Sequence, residues 1–280
     1  MGMSAKLLIV GNTDKTSAWG QIESLCNLLS GKVEIVGPHP HCEIPDEAHD
    51  VDLCVIFGGD GTLLSVARDL AEYDIPMLGI NVGKLGFLAD WTVNDFAGSI
   101  DDLLANGVPC EDRVMFSISL SSEADASFRA ANDVAVTAGN PFRMIDLRLD
   151  QGNRCIAQYL GDGLVVSTPT GSTGYSLSSG GPIIQPGVNA IVITPVSPHA
   201  LSLRPMVVTP EVSLKITATD VNPGTTMIVD GQIHRPLQEG ASIEISVSDK
   251  PLKIVKHPGR EFFRTLAEKL HWGTSPHHKP

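Results

Sequence analysis

The sequence lacks the cysteine spacing that marks disulfide frameworks and zinc sites. No Cys-x-x-Cys pair occurs, and three of the five cysteines lie inside apolar runs. They are Cys26, Cys42, Cys54, Cys110 and Cys155. We therefore expect reduced cysteines that belong to the protein core. The first residues do not follow the charged-then-apolar order of a signal peptide. No window approaches the roughly 20 apolar residues that a membrane-spanning helix needs, so we expect a cytoplasmic protein.

Positive charge is also scarce. The chain has 20 Lys and Arg against 32 Asp and Glu, and its formal net charge is −12. This balance argues against nucleic acid or an anionic membrane as the main partner. An anionic ligand would need a local cluster of cations, a metal ion or backbone dipoles. The length of 280 residues and the hydrophobic content of 42% suit one large domain or two modest ones.

A glycine-rich turn follows the apolar run Leu53–Ile56. It reads Phe57-Gly58-Gly59-Asp60-Gly61-Thr62 and leads directly into a helical pattern. Glycines let backbone N–H groups approach a phosphate, and a helix N-terminus favours anions. A carboxylate among these groups suits a catalyst that holds a metal or accepts a proton, so the turn indicates phosphoryl transfer. The alternative is a structural turn in which Asp60 caps the helix. The segment matches neither a Walker A loop nor the G-x-G-x-x-G fingerprint.

The hydrophobic pattern changes near Asp112. Before it, short apolar runs such as Leu7–Gly11 and Pro76–Ile80 alternate with helical spacing, which predicts a parallel sheet covered by helices. After it, apolar and polar residues alternate, which predicts antiparallel strands. We predict an α/β domain at 1–112, an all-β sandwich at 113–258, and a C-terminal helix within 259–280 that returns to the first domain.

The run from Gly161 to Pro182 concentrates hydroxyls and glycines around Tyr175. Hydroxyls and bare amides bind phosphate and ribose without a net positive charge. The alternative is a flexible Ser/Gly linker. The apolar segments at both ends of the run argue against a linker.

Three shorter segments are also candidates. Asn132-Asp133 precedes an apolar strand and could read a base or a ribose, although a plain turn is the commoner case. The segment Asn81–Asp90 could supply an aromatic wall and one lysine. For Val229–Gln232 we prefer the interpretation as a hairpin turn.

Together these segments resemble the NAD kinases, which phosphorylate the 2′-hydroxyl of the adenosine ribose of NAD to make NADP. The similarity extends from about Leu7 to Trp272. The glycine turn is shared with lipid kinases and phosphofructokinases, whereas the run from Gly161 to Pro182 is more specific. The resemblance implies ATP as the phosphoryl donor, a divalent metal such as Mg²⁺, a homodimer or homotetramer, and an active site between a Rossmann-like and a β-sandwich domain.

The resemblance also implies roles for individual residues. Asp60 would be the catalytic residue, as a base or as a metal ligand. The backbone around it would hold the donor phosphates, at Gly58, Gly59, Gly61 and Thr62. Asn132 and Asp133 would contact the adenine and ribose side of NAD. The full implied set of NAD-binding residues is Gly61, Phe87, Asn132, Asp133, Arg143, Asp162, Thr173, Gly174, Tyr175, Ser176, Leu177, Ser178 and Gln232.

Some positions depart from the family pattern. Asp133 stands where many relatives have Glu, and Gly174 stands where Ala is common. Leu160 stands where some bacterial relatives have a basic residue linked with donor preference, so the choice between ATP and polyphosphate stays open. Two rival functions remain: a kinase of lipids or sugars that shares the glycine turn, and a non-enzymatic regulator that binds dinucleotides.

Overall fold

The structure is a computed structural model, and it describes residues 5–11, 16–40, 44–45, 50–211 and 213–273. Cys42 lies outside these ranges. The chain divides into two compact units, one formed by Met1–Asp112 with Leu252–Pro280 and the other by Arg113–Pro251. The four described cysteines are free thiols. Among the described helices, none has the length and apolar composition that a membrane span requires.

Strands and helices alternate along the first part of the chain. The elements are β1 Lys6–Gly11, α1 Thr16–Leu29, β2 Glu34–Pro40, β3 Leu53–Gly58, α2 Asp60–Glu72, β4 Met77–Asn81, α3 Val93–Asn106 and β5 Cys110–Arg113. The middle of the chain is almost entirely β. Its first strands are β6 Phe116–Leu120, β7 Glu123–Ala130, β8 Asp133–Thr137, β9 Ile145–Gln151, β10 Arg154–Gly161 and β11 Gly163–Ser167.

A 3-10 turn at Thr170–Thr173 and the short helix α4 at Tyr175–Ser178 follow β11. The remaining strands are β12 Ile191–Val196, β13 Met206–Val208, β14 Leu214–Asp220, β15 Thr226–Val229, β16 Ile233–Pro236, β17 Ser242–Val247 and β18 Leu252–Val255. The described part of the chain ends with helix α5, Phe262–Leu270.

The first unit is built on a six-stranded sheet in the order β2-β1-β3-β4-β18-β5. The pairings of β1 with β2 and β3, and of β4 with β3 and β18, are parallel. Leu53, Val55 and Phe57 share a core with α1 and α3, whereas Cys54 and Ile56 are buried on the opposite face. The chain passes from β1 to β2 on one side of β1 and then crosses to β3 on the other side, so the strand order reverses at β1. In open α/β sheets, ligands bind beyond the carboxyl ends of strands at such a reversal.

The strand β18 corrects the predicted domain boundary. The interval 113–258 was assigned to the second domain, but Ile254 of β18 pairs with Met77 of β4 in the first sheet. The chain therefore joins the first unit at Leu252, and not at Gly259. The physical reason is that β18 is only four residues long, Leu252–Val255, and its local sequence does not show which sheet it joins.

The second unit contains two six-stranded sheets. Their orders are β10-β9-β14-β17-β6-β7 and β13-β12-β11-β8-β15-β16, with antiparallel pairing. One hydrophobic core draws side chains from both sheets, for example Ile118 and Leu147 from one, and Val134 and Leu164 from the other. Strand β8 lies inside its sheet between β11 and β15, which places Asp133 beside Ser167 of β11.

Candidate active site

The carboxylate of Asp60 is held by a turn of the first unit. Asp60 is the first residue of α2, and the helix begins at Gly59 without a side-chain cap. Its Oδ1 accepts hydrogen bonds from the N–H groups of Leu88 at 2.9 Å and Ala89 at 3.2 Å. Its Oδ2 accepts one from the N–H of Phe87 at 2.9 Å. The structural alternative required Asp60 to cap its own helix. Its carboxylate instead binds the N–H groups of residues 87–89.

Gly86 allows this close approach. A Cβ atom at Gly86 would lie 2.0 Å from Oδ1 of Asp60, so only glycine fits against the carboxylate. The glycines of the turn itself differ from one another. A Cβ at Gly58 would lie 2.5 Å from Thr62, whereas Gly59 and Gly61 face open space. Gly58 is thus required for packing, and Gly59 and Gly61 leave room for a ligand.

A lysine from the last helix completes the surroundings of Asp60. Nζ of Lys269 lies 3.1 Å from Oδ2 of Asp60 and 4.5 Å from the centre of the Phe87 ring. The Phe87 ring also lies 6.5 Å from that of Phe262. Burial raises the pKa of Asp60, but the N–H groups of residues 87–89 and the Lys269 ammonium more than offset this effect. The net pKa of Asp60 is therefore below its ordinary value, and the carboxylate is ionised at neutral pH.

A small cavity opens beside the glycine turn. It has a volume of about 130 Å³ and lies beyond the carboxyl ends of β3 and β4. Gly58, Gly59 and Thr62 line it together with Asn81 and Lys84. An uncapped helix N-terminus and one lysine make this cavity suitable for phosphate.

In the second unit, Asn132 and Asp133 are held by a third residue. The carboxylate of Asp230 accepts hydrogen bonds from the N–H groups of Ala131 at 3.0 Å, Asn132 at 2.8 Å and Asp133 at 3.2 Å. Asp230 and Gly231 have φ of 50° and 67° in the turn between β15 and β16. The interpretation of this segment as a hairpin turn is therefore correct. Sequence reasoning missed that the turn also binds the N–H groups of residues 131–133 through Asp230.

Asp133 is nearly buried, with 5% of its surface exposed. Burial in the first place, and then the charge of Asp230, raise the pKa of Asp133 to about 7. The side-chain oxygen of Asn132 is buried and has no hydrogen-bond partner among the residues that the structure describes. Buried polar atoms normally have partners, so this oxygen has a hydrogen-bonding capacity that the described residues leave unused. A Cβ at Gly174 would lie 3.9 Å from both side chains, which brings Gly174 next to this pair.

The hydroxyl-rich loop is anchored onto the start of β8. Thr168 donates from Oγ1 to the carbonyl of Ala131 at 2.6 Å, and its N–H donates to the carbonyl of Asn132 at 2.8 Å. A Cβ at Gly171 would lie 2.1 Å from that same Asn132 carbonyl. The loop is therefore a packed structure, and the flexible-linker alternative is wrong.

The residues of the loop differ in their exposure. Tyr175 and Ser178 are exposed, and Thr173 and Leu177 are partly buried. Burial, followed by the charges of Asp133 and Asp162, raises the pKa of Tyr175, so its hydroxyl lies within the field of both carboxylates.

Ser176 differs from its neighbours in the loop. Its hydroxyl is fully buried and lies 2.9 Å from that of Thr194. The Ser176 side chain therefore has a structural contact inside the unit. Its assignment to the NAD site stays a prediction.

Of three further implied residues, Arg143 and Asp162 lie towards the other end of β8, whereas Gln232 lies in the turn that holds the Asn132–Asp133 pair. Arg143 follows the far end of β8 and forms an exposed ion pair with Asp220 at 3.4 Å. Gln232 is exposed in the turn that begins at Asp230. Asp162 is exposed at the end of β11 that pairs with Thr137, whereas Ser167 at the other end pairs with Asp133. The charges of Asp133 and Asp162, at opposite ends of this strand pair, both raise the pKa of Tyr175.

The described residues do not form a metal site of their own. Within these ranges, no group of three or more His, Cys, Asp or Glu could hold an ion. The four hydrogen bonds to Asp60 use the lone-pair positions that a carboxylate offers. The neighbouring ammonium of Lys269 would also repel a cation. While Lys269 occupies Oδ2, Asp60 therefore offers no free position to a metal ion.

Sequence reasoning missed Lys269 and the role of Asp230. A weak signal existed for Lys269, because Phe262 and Lys269 are seven residues apart and lie on one helix face. For Asp230 the sequence offered only a turn signal.

Two family models match the chain. One, described as the ATP-NAD kinase C-terminal domain, matches residues 131–257, and the other, described as the ATP-NAD kinase N-terminal domain, matches residues 41–108. A curated relative named NAD kinase, from Heliobacterium modesticaldum, is 39% identical over 236 residues, which cover 84% of this chain and 83% of the relative.

Two solved structures are similar in fold. A crystal structure of yeast NADH kinase complexed with NADH has a TM-score of 0.86 and 22% identity, and the match covers 100% of this chain and 91% of the yeast chain. A structure of an NAD kinase from Archaeoglobus fulgidus in complex with ATP has a TM-score of 0.75 and 27% identity, with coverage of 95% and 98%.

Proposed function

Because this chain belongs to the NAD kinase family and phosphorylates NAD with ATP, we propose that Asp60 is its catalytic carboxylate. The observation that supports this role is the fixed position of the carboxylate at an uncapped helix N-terminus, directly after Gly59, which lines the cavity of about 130 Å³. In phosphoryl transfer, positioning and charge supply most of the catalysis.

In the proposed reaction, the 2′-hydroxyl oxygen of the adenosine ribose attacks the γ-phosphorus of ATP. A new O–P bond forms, the bond between the γ-phosphorus and the bridging oxygen breaks, and ADP leaves. The hydroxyl proton passes to the carboxylate of Asp60. The low pKa of Asp60 makes it a weak base. A weak base is sufficient when the proton leaves late, as in a loose transition state.

The donor phosphates would lie against the backbone of the glycine turn. Gly59 and Gly61 are exposed there, and the helix N-terminus favours negative charge. Magnesium would arrive bound to these phosphates as part of the substrate. This arrangement suits the acidic chain, whose own carboxylates form no metal cluster within the described ranges.

The dinucleotide would be held by the second group of residues. The unpaired oxygen of Asn132 and the buried carboxyl of Asp133 would bind the adenosine ribose or base. Tyr175 has an exposed ring that could stack, and a hydroxyl near two carboxylates. The further proposed contacts are Gly61, Phe87, Arg143, Asp162, Thr173, Gly174, Leu177, Ser178 and Gln232.

The finer architecture and the assembly are also proposals. A parallel sheet whose strands alternate with helices along the chain supports a Rossmann-like class for the first unit. Two antiparallel sheets around one core support a β-sandwich for the second.

A homodimer or homotetramer is supported by the edge strand β13, on which Met206 and Val207 are 40% and 47% exposed. Light scattering coupled to size-exclusion chromatography measures this state.

The experiment that tests the role of Asp60 is the substitution Asp60→Asn. We expect kcat to fall at least about 100-fold, the contribution of a general base, while the Kd for NAD stays within about threefold. NADP formation and calorimetric NAD binding provide the two measurements. Asp69→Asn is a matched control, because Asp69 is exposed on the same helix. Normal turnover in Asp60→Asn would remove this residue from the mechanism.

A further inference from the structure

The carboxylate of Asp60 has a full set of hydrogen-bond donors. Each carboxylate oxygen accepts two hydrogen bonds, and a carboxylate offers about four such positions. The proposed function requires that Asp60 also accept a hydrogen bond, and then a proton, from the ribose hydroxyl. One of the four donors must therefore leave before the reaction.

Only one of these donors is free to leave without a change in the fold. Three are backbone N–H groups of residues 87–89, and the Gly86 N–H closes their turn onto the carbonyl of Ala89 at 2.9 Å. The fourth is the ammonium of Lys269, at the end of a flexible side chain that is 27% exposed. The ribose hydroxyl would therefore replace Lys269 on Oδ2 of Asp60.

The last helix is docked so that Lys269 stays close after this exchange. Phe262, Thr265, Leu266 and Lys269 follow the spacing of one helix face, and Thr265 and Leu266 are buried. The Phe262 ring contacts Phe87, over whose ring the Lys269 ammonium already lies at 4.5 Å. This cation–π contact with Phe87 would stabilise the ammonium after it leaves Asp60.

We propose that Lys269 is a catalytic residue that exchanges partners: its ammonium occupies Oδ2 of Asp60 until the ribose hydroxyl arrives, and then contacts the phosphoryl group in transfer. The geometry supports the second contact. The attacking oxygen would lie at hydrogen-bond distance from Oδ2, and phosphorus would be about 3–3.5 Å from that oxygen. A four-carbon side chain whose ammonium starts 3.1 Å from Oδ2 can reach the phosphoryl oxygens.

This proposal rests on the proposed function of Asp60, and it adds the Lys269 ammonium as a second group that acts in phosphoryl transfer. Donors aimed at developing negative charge are worth roughly 10²–10³-fold in rate when one is removed. Lys269→Met should therefore lower kcat by roughly 100- to 1,000-fold, while the KM for NAD changes less than about twofold. Lys253→Met is the matched control, because Lys253 forms a comparable ion pair with Asp74, at 2.7 Å, in the same unit. It should leave kcat unchanged.

The pH profile distinguishes exchange from a fixed ion pair. The Lys269 ammonium is the charged group that lowers the pKa of Asp60. In Lys269→Met the acidic limb of kcat/KM, which reports the free enzyme, should move to higher pH. The acidic limb of kcat, which reports the bound complex, should move less, since Lys269 no longer contacts Asp60 there and only its more distant charge acts on the carboxylate. Equal shifts of both limbs would overturn the proposal, and so would an unchanged or increased kcat.

A second variant tests the proposal if Lys269→Met has a folding defect. If Lys269→Met does not fold, Lys269→Arg keeps the charge and the contact with Phe87, and it should retain at least about one tenth of kcat. A loss as complete as that of Asp60→Asn would contradict the proposal. The two levels are separable: an active Asp60→Asn protein refutes the proposed function, whereas an inactive Asp60→Asn protein with normal Lys269→Met turnover refutes only the role of Lys269.

Discussion

The backbone N–H of Asn132 donates a hydrogen bond of 2.8 Å to the carboxylate of Asp230, although 98 residues separate them in sequence. The same carboxylate binds the N–H groups on either side, at Ala131 and Asp133. The hairpin turn between β15 and β16 thus holds the entry to β8 in one conformation. Because the side chains of Asn132 and Asp133 are the proposed dinucleotide contacts, this turn sets their position.

Substitution Asp230→Ala should destabilise the second unit and weaken NAD binding. Three N–H groups lose their partner near a residue that is only 7% exposed, and each buried unpaired donor costs about 1–3 kcal/mol. We expect a clear fall in the melting temperature and at least about a tenfold rise in the Kd for NAD. For comparison, Asp220→Asn breaks only the exposed pair with Arg143 and should change stability by less than about 0.5 kcal/mol. Equal melting temperatures of the two variants would contradict this interpretation.

Substitution Asp133→Asn should stabilise the protein in a pH-dependent way. The pKa of Asp133 is about 7 in the fold, against an ordinary value of 3.8. The folded protein therefore binds more protons between these values, and its stability falls as pH rises through that window. Asn has no proton to lose, so its advantage should grow from about pH 4 to pH 7 and then remain constant. The full effect is on the order of 4 kcal/mol, at about 1.4 kcal/mol per pH unit.

Melting temperatures of wild type and Asp133→Asn at about pH 5 and pH 8 provide the measurement. A difference between the two proteins that is the same at both pH values would mean that Asp133 is ionised throughout.

Substitution Gly86→Ala should impair catalysis without unfolding the protein. The new Cβ would lie 2.0 Å from Oδ1 of Asp60 and would force the carboxylate away from its N–H donors. We expect kcat to fall at least about tenfold, with the KM for NAD nearly unchanged. Gly98→Ala is the control, because a Cβ there meets nothing within 4 Å and Gly98 lies in helix α3 of the same unit. If both variants turn over equally, the close contact between Gly86 and Asp60 has no catalytic importance.

Chelation of divalent metal should abolish activity, while the metal alone should not stabilise the protein. Both expectations follow if magnesium enters bound to ATP, since the described residues contain no cluster of metal-ligating side chains. NADP formation with and without EDTA measures the first, and thermal unfolding with Mg²⁺ but no nucleotide measures the second. Activity that survives EDTA would refute the need for a metal. Stabilisation by Mg²⁺ alone would reveal a site built by the protein.

Local patterns were sufficient to predict much of the first unit and the nature of the second. The run Leu53–Ile56 and the glycines that follow predicted a buried strand, a tight turn and a helix, which are β3 and α2. Such elements are encoded over a few residues by periodicity and by backbone freedom. Alternating residues such as those at Ile145–Leu149 predicted antiparallel strands in the same way. The domain boundary was less accurate, because β18 pairs with a strand 177 residues earlier in the chain, as Ile254 and Met77 show (254 − 77).

By itself the sequence determined the strand, turn and helix around Asp60, the hydroxyl-rich loop and the acidic charge, since each depends on neighbouring residues. Only the tertiary structure decided what surrounds those residues. It brought Lys269 to Asp60 across 209 positions and Asp230 to Asn132 across 98, and it turned the Ser176 hydroxyl inward to Thr194. The physical reason is that such contacts depend on how the whole chain is folded, and a local pattern carries no information on which distant side chain will fill a hydrogen-bond position.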